Sequence, residues 1–152
     1  MNNFYYYSNK PIYVNQTFNQ NIMARIVLCV DDDPDDRELI RNAIFKVDSS
    51  YSVAYATNGK EAIQFLTRAL ETELPCLIIL DFNMPVMDGK ETLVEIKKNG
   101  RFNGIPVVVF TTSNHPADLQ FCQDQGVELV TKPANFGQIT TETERLLQHC
   151  AE

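Results

Sequence analysis

The sequence predicts an α/β fold, a doubly wound parallel sheet of five strands with helices on both faces. After Arg25, short β-branched runs alternate five times with amphipathic stretches of helical length, and this alternation is typical of parallel sheets. Three of the runs are almost entirely apolar, as expected for strands that helices cover on both sides. The runs lie at residues 25–30, 52–56, 76–80, 105–110 and 127–130.

Capping residues and apolar spacing place five helices between and after these strands. The first is predicted to begin at Pro34, with Asp33 as its N-cap and Asp35 and Asp36 in its positively polarised first turn. The fourth is predicted to begin at Pro116, with Ser113 or Asn114 as its cap. The predicted apolar positions are Leu39, Ile40, Ala43, Ile44 and Val47, then Ala62, Ile63, Leu66 and Leu70, then Leu93, Val94 and Ile96 in a helix from Gly89 to Lys98, then Leu119 and Phe121, and finally Phe136, Ile139, Leu146 and Leu147.

Length and charge exclude several classes of function. The 152 residues fit one domain of ordinary size. Twenty acidic against thirteen basic residues give a net charge of -7, which makes nucleic acid an unsuitable partner. No apolar run approaches the roughly 18 residues of a membrane span, and the N-terminus lacks a basic region followed by an apolar one. We expect no membrane partner and a cytoplasmic location.

The cysteine pattern supports the same location. Cys29, Cys76, Cys122 and Cys150 lie far apart, without the C-x-x-C spacing or the paired histidines of a zinc site. We expect all four to be free thiols, as in a reducing compartment.

Residues 1–22 differ from the rest of the chain, being rich in asparagine and tyrosine and containing no acid. This composition predicts a disordered or mobile arm. Met23 directly precedes the first strand, so one hypothesis is that the natural chain begins there. The alternative is a functional arm, for instance a dimer contact.

Polar residues follow four of the five strands. Asp31 and Asp32 follow the first, Asp81 the third, Thr111 the fourth and Lys132 the fifth. Because ligands of open parallel sheets bind beyond the carboxyl ends of the strands, we expect these side chains to converge. Three carboxylates together repel one another unless a cation neutralises them, and oxygen ligands of this kind suit Mg²⁺.

A carboxylate nucleophile, a metal, a cation and a hydroxyl are the parts that phosphoryl transfer to an aspartate requires. Asp81 is the best-placed nucleophile, because it stands alone after the central strand whereas Asp31 and Asp32 form a pair suited to a metal. Lys132 and the Thr111 hydroxyl can each contact a phosphoryl oxygen.

Four fragments, in order and at the expected strand ends, resemble the receiver domain of two-component response regulators. The fragments are Val30-Asp31-Asp32, Asp81-Phe82-Asn83-Met84-Pro85-Val86-Met87-Asp88-Gly89, Thr111-Thr112-Ser113 and Thr131-Lys132-Pro133. Each fragment alone is weak evidence for this resemblance, but the four in order are strong evidence. The resemblance covers about residues 24–150, as in a receiver of the single-domain type.

The resemblance implies a role for each matching residue. Asp81 is the expected phosphoacceptor from a sensor histidine kinase or phosphotransfer protein, and Thr111 and Lys132 bond the phosphoryl group. Asp32, Asp81 and the backbone carbonyl of Asn83 hold Mg²⁺, and Asp31 reaches it mostly through water. The implied sheet is flavodoxin-like, in the order 2-1-3-4-5, with a cis peptide before the proline at 133.

One position departs from the family pattern. Leu129 stands three residues before Lys132, where the family often has an aromatic side chain that moves inward on phosphorylation. We therefore expect a switch of smaller amplitude at the fourth helix and fifth strand. If activation drives pairing into a homodimer, the face of the fourth helix, fifth strand and fifth helix is the expected interface; the downstream protein is unknown.

Two alternatives to the phosphoacceptor switch stay open. The chain could be a constitutive interaction domain with a receiver fold, although its full set of acids, Thr111 and Lys132 speaks against this. It could also be a phosphatase of the haloacid dehalogenase type. That family has an Asp-x-Asp pattern, in which the first Asp is the nucleophile and the second Asp is the general acid. Here Asn83 occupies the second Asp position, and an amide cannot donate and recover a proton. We therefore expect no enzymatic turnover beyond slow self-dephosphorylation.

Overall fold

A computed structural model of the chain describes residues 25–151, and before them only the backbone of two short antiparallel strands, Tyr5–Tyr7 (β1) and Lys10–Ile12 (β2). Apart from these strands, the predicted arm over residues 1–22 lies outside the described residues, as does the hypothesised start at Met23.

From residue 26 onward, strands and helices alternate as predicted. The elements are β3 (Ile26–Val30), α1 (Pro34–Val47), β4 (Ser52–Ala56), α2 (Gly59–Arg68), a 3₁₀ helix (Glu71–Glu73), β5 (Leu77–Leu80), α3 (Gly89–Lys98), β6 (Val107–Thr111), α4 (Pro116–Gln125), β7 (Glu128–Thr131), α5 (Phe136–Leu146) and a final 3₁₀ helix (Leu147–Cys150). Most bounds fall within one or two residues of the sequence prediction.

The sheet has the order β4-β3-β5-β6-β7, and every neighbouring pair is parallel. Counted within this sheet alone, the order is 2-1-3-4-5, so the predicted fold class is confirmed. The strand order reverses between β3 and β5. The chain passes from β3 to β4 on one side of the sheet, and from β5 to β6 on the other. A crevice at the carboxyl ends of the strands is therefore expected beside β3 and β5.

Alternate residues of each central strand contribute to two separate cores. On β3, Leu28 and Val30 pack with α2 and α3, whereas Val27 and Cys29 pack with α1 and α5. β5 is buried along its whole length, which agrees with its continuous apolar sequence. The two helical layers thus fix the direction of β3 and β5, and with it the position of the residues that follow them.

Several predicted core positions are exposed. Leu39 and Leu119 are 38% and 48% exposed, and Leu70 lies beyond the end of α2 and is 63% exposed. The prediction of the α4 cap was wrong, because the His115 Nδ1 accepts the Ala117 N–H at 3.2 Å. The cause is local: an imidazole can accept this bond as a serine or asparagine would. The peptide bond before Pro133 is trans, whereas the family resemblance implied cis.

Two cysteines form a disulfide, contrary to the prediction of four free thiols. Cys76 precedes β5 and Cys150 ends the last 3₁₀ helix, and their Cα atoms are 5.0 Å apart. A separation of 74 residues concealed the pairing in the sequence, since only the packing of the C-terminus beneath the sheet brings the two together. Cys29 and Cys122 are free and buried.

Candidate functional site

The predicted site residues extend the sheet by one residue at the end of each strand. The Asp31 amide donates to the carbonyl of Ala56 at 3.0 Å, and the Asp81 amide donates to the carbonyl of Val30 at 2.9 Å. The Lys132 amide donates to the Thr111 carbonyl at 2.8 Å. Since backbone bonds within the sheet hold all three residues, their side chains leave from fixed points on one edge.

The Lys132 ammonium joins three acidic side chains. Its Nζ lies 2.7 Å from an Asp31 oxygen, 2.7 Å from an Asp36 oxygen and 3.5 Å from Oδ2 of Asp81. The Lys132 side chain is only 11% exposed. These distances bring together Asp31, Asp81 and Lys132, which the sequence placed at three different strand ends.

Asp36 is a site residue that the sequence analysis assigned only to the first turn of α1. Its carboxylate binds Lys132, and the neighbouring Arg37 guanidinium donates to the Asp31 carbonyl at 2.7 Å. The sequence did indicate this role, because a helix that begins three residues after Asp31 must place its first turn near the same edge of the sheet. The helix N-terminus thus supplies both a capping charge and a partner for the lysine.

Burial and neighbouring charges shift the pKa values of Asp31 and Lys132 in opposite directions. Burial raises the pKa of Asp31 above its ordinary value, and the hydrogen bond from Lys132 offsets this only in part. Burial by itself would lower the pKa of Lys132, but hydrogen bonds to Asp31 and Asp36 outweigh it and raise that pKa. One ammonium therefore stays charged but cannot neutralise every carboxylate around it.

The remaining negative charge fits a divalent cation. Asp31, Asp32 and Asp81 each offer a carboxylate oxygen, and these oxygens lie within 4.8 Å of one another. Oδ1 of Asp81 is buried and has no hydrogen-bond partner, which is costly unless a ligand contacts it. Oxygen donors of this type suit Mg²⁺ or Mn²⁺. Asp32 and Asn83 are both exposed, Asn83 lying two residues after Asp81.

Thr111 lies at the end of β6, fully buried. Its Oγ1 accepts the Ser113 amide at 3.2 Å, while its own hydroxyl hydrogen is available for another acceptor. The β6–α4 loop, residues 112–115, is therefore tied to the threonine that the sequence assigned to a phosphoryl oxygen.

Gly89 allows α3 to begin against the backbone of the Asp81 loop. Its amide donates to the Phe82 carbonyl at 3.0 Å, and a Cβ at this position would lie 2.2 Å from the Asp81 carbonyl oxygen. A Cβ cannot lie that close to a carbonyl oxygen, so glycine is required here. The requirement explains in physical terms the glycine at the end of the second fragment, Asp81 to Gly89.

Val86 in the same loop has a strained backbone, with φ of 70° and a side chain 79% exposed. The Met87 amide donates to the Pro85 carbonyl at 2.9 Å, so Val86 is the central residue of a γ-turn, which at positive φ is strained for any residue with a Cβ. Glycine has no Cβ, and we expect Val86→Gly to raise the free energy of unfolding by about 1 kcal/mol, measured by urea denaturation. Val86→Thr is the control, because threonine keeps the branched Cβ at the same exposed position; an equal gain in both variants would contradict the role of strain.

Among the residues described here, no helix has the length and apolar character needed to cross a membrane.

Comparison with known proteins places this geometry in a family. The model of the response regulator receiver domain matches residues 27–144. Response regulator Rcp1 of Synechocystis sp. is 36% identical over 98 residues, which cover 62% of this chain and 67% of Rcp1. The two-component response regulator ORR7 of Oryza sativa subsp. japonica is 32% identical over 123 residues, which cover 80% of this chain and 56% of ORR7. The chain therefore matches little more than half the length of the rice protein.

Solved structures agree with the sequence relatives. The phosphorylated cyanobacterial phytochrome response regulator RcpA has a TM-score of 0.75 at 32% identity, covering 82% of this chain and 92% of RcpA. The Mn²⁺-bound form of Rcp1 has a TM-score of 0.71 at 31% identity, with the same two coverages. The chain belongs to the response regulator receiver domain family, whose members act in two-component signalling.

Proposed function

We propose that this chain is a phosphoacceptor switch in which Asp81 takes a phosphoryl group from a phosphohistidine. The observation that carries the proposal is the Asp81 carboxylate, which is buried at the sheet edge with one oxygen unpartnered and the other 3.5 Å from the Lys132 ammonium. A buried carboxylate with a lone pair available and a cation alongside is suited to attack on phosphorus.

The transfer exchanges one bond for another. A carboxylate oxygen of Asp81 forms a bond to phosphorus while the bond between phosphorus and the donor imidazole nitrogen breaks, and that nitrogen keeps the electron pair. Lys132 stabilises charge on the phosphoryl oxygens, and the Thr111 hydroxyl donates to one of them. The product is an aspartyl phosphate, which adds negative charge to the sheet edge and favours a changed surface.

We propose Mg²⁺ as the metal, held by Asp31, Asp32, Asp81 and the Asn83 carbonyl. The grouped carboxylate oxygens and the unpartnered Asp81 oxygen support a hard divalent cation, and the Mn²⁺ bound by Rcp1 agrees with this class. When bound, the ion would neutralise charge on the phosphoryl oxygens.

A groove beside the site supports docking of a phosphoryl donor. The cavity of about 220 Å³ lies between α1 and α5 and reaches Lys132. Leu39 and Phe136 on its rim are 38% and 36% exposed. Receiver domains interact with histidine kinases or phosphotransfer proteins, and an apolar rim next to a polar site suits such a partner. We propose that the donor imidazole reaches Asp81 from this side.

We also propose a domain organisation, a location and partners for this chain. Residues 24–150 form the receiver domain and residues 1–22 an arm, and the protein works in the cytoplasm without enzymatic turnover of its own. Nucleic acid and membranes are not partners. A downstream protein reads the changed surface, and phosphorylated copies pair through the face formed by α4, β7 and α5, where Leu119 is 48% exposed.

The mass of the intact protein tests this function. Incubation with acetyl phosphate and Mg²⁺ is expected to add about 80 Da, the mass of one phosphoryl group. The gain should vanish in Asp81→Asn and on chelation of the metal, while Asp88→Asn, a capping acid on the same loop, should label normally. Absence of labelling in the natural sequence, when a control receiver labels, would favour a constitutive interaction domain. Light scattering of the labelled sample would detect pairing.

A further inference from the structure

A polar and aromatic cluster outside the carboxylate site joins three elements. The Ser113 hydroxyl donates to Oδ2 of Asp118 on α4, and Oδ1 of Asp118 lies 2.5 Å from Nζ of Lys90 on α3. The Lys90 ammonium also lies 5.6 Å from the ring centre of Phe82 and 5.5 Å from that of Phe121. These two rings meet edge to face at 5.9 Å.

The cluster is attached directly to two residues of the site. Phe82 follows Asp81 in the chain, and the Ser113 amide donates to the hydroxyl oxygen of Thr111. The Asp118 side chain is only 15% exposed, and hydrogen bonds from Lys90 and Ser113 hold the pKa of Asp118 below its ordinary value. The carboxylate is therefore charged and well partnered at neutral pH.

The remainder of α4 contributes little that could hold the loop in place. Cys122 is the buried residue of this helix, and most of its other side chains are exposed. A helix with so few buried contacts moves at low cost, so the polar contacts of Ser113 and Asp118 carry much of its attachment.

We propose that Lys90, Asp118 and Ser113 form a latch that holds the β6–α4 loop in the position described here and opposes movement of Thr111 toward a phosphoryl group. They are positioning residues, because they act through Thr111 and do not contact the phosphoryl group themselves. This inference rests on the proposed function. When Thr111 turns toward the phosphoryl group, Ser113 moves with it and its bond to Asp118 is lost.

A latch of this kind has an unusual sign: its removal favours the activated state. The loss of one charge-assisted hydrogen bond corresponds to about a tenfold change in an equilibrium. Asp118→Ala and Ser113→Ala should therefore bind beryllofluoride, an analogue of the phosphoryl group, about tenfold more tightly in Mg²⁺. Neither variant should gain stability in urea, since each loses a native contact.

The controls separate the latch from simpler effects. Asp124→Ala removes the same charge from an exposed position of α4, where its partner is Gln120, and should bind like the natural sequence. Ser113→Ala changes no charge, so tighter binding in that variant does not come from electrostatic attraction. A residue with only a structural role would weaken binding or leave it unchanged.

Calorimetric titration of beryllofluoride into each folded variant distinguishes the outcomes. Tighter binding in Asp118→Ala and Ser113→Ala, but not in Asp124→Ala, supports the latch. If the natural sequence binds the analogue and both latch variants bind it equally or more weakly, the latch is overturned and the proposed function stands. If the natural sequence neither binds the analogue nor gains a phosphoryl mass, both are overturned. Should Asp118→Ala fail to fold, Lys90→Gln replaces it, since it removes the same ion pair.

Discussion

Replacement of Lys132 by alanine is expected to slow the gain of a phosphoryl group at Asp81 about 100-fold while strengthening Mg²⁺ binding about tenfold. The two effects have opposite signs because the ammonium does two things. It stabilises charge on the transferring group, and it competes with a metal for the oxygens of Asp31, 2.7 Å away, and Asp81, 3.5 Å away. Removal of the ammonium loses the stabilisation of the transferring group and ends the competition with the metal.

Intact-mass time courses with acetyl phosphate measure the first effect, and calorimetric titration of Mg²⁺ measures the second. Lys98→Ala is the matched control, because Lys98 is 69% exposed and pairs with Glu95 on the same helix. This control should label and bind metal normally. If Lys132 merely supported the fold, phosphorylation and metal affinity would fall together, and that result would contradict the assignment.

The fold was predictable because the features that determine it are local. The apolar runs that become β3, β5 and β6 are continuous, and the helices begin at signals such as Asp33 and Pro34. Once the sheet is parallel, the carboxyl ends of its strands share one edge. The meeting of Asp31, Asp81 and Lys132 therefore followed from topology alone.

Contacts between distant segments were not predictable in this way. The partnership of Asp36 with Lys132 joins α1 to the end of β7, and the pairing of Lys90 with Asp118 joins α3 to α4. Each depends on how two helices are placed against the sheet, and an acid with such a partner looks in the sequence like any other surface acid. The disulfide is the extreme case, because 74 residues separate the two cysteines.

The same disulfide gives the second large effect. In the chain-entropy account, a cross-link that closes a loop of this length stabilises the native state by about 4 kcal/mol. We therefore expect Cys76→Ala/Cys150→Ala to lower the free energy of unfolding in urea by about that amount under oxidising conditions. With dithiothreitol present, the natural sequence should lose the same stability and match the double variant, which has no thiol pair left to reduce. A natural protein whose unfolding does not respond to the reductant would contradict the prediction.

The redox state of this pair also bears on the proposed cytoplasmic location, since disulfides are rare in reducing compartments. Cys150 is only 8% exposed, so a reductant must wait for the C-terminal 3₁₀ helix to open before it reaches the bond. Rapid alkylation in denaturant during cell lysis, which also exposes the buried thiols of Cys29 and Cys122, followed by mass analysis, counts the thiols. Four modified cysteines would place the protein in a reducing compartment, where apolar contacts that include those of Leu146 and Leu147 hold the chain end against the sheet. Two modified cysteines would show either that the cross-link survives in a reducing compartment or that the protein lies in an oxidising one. Fractionation of the same cells separates these two cases.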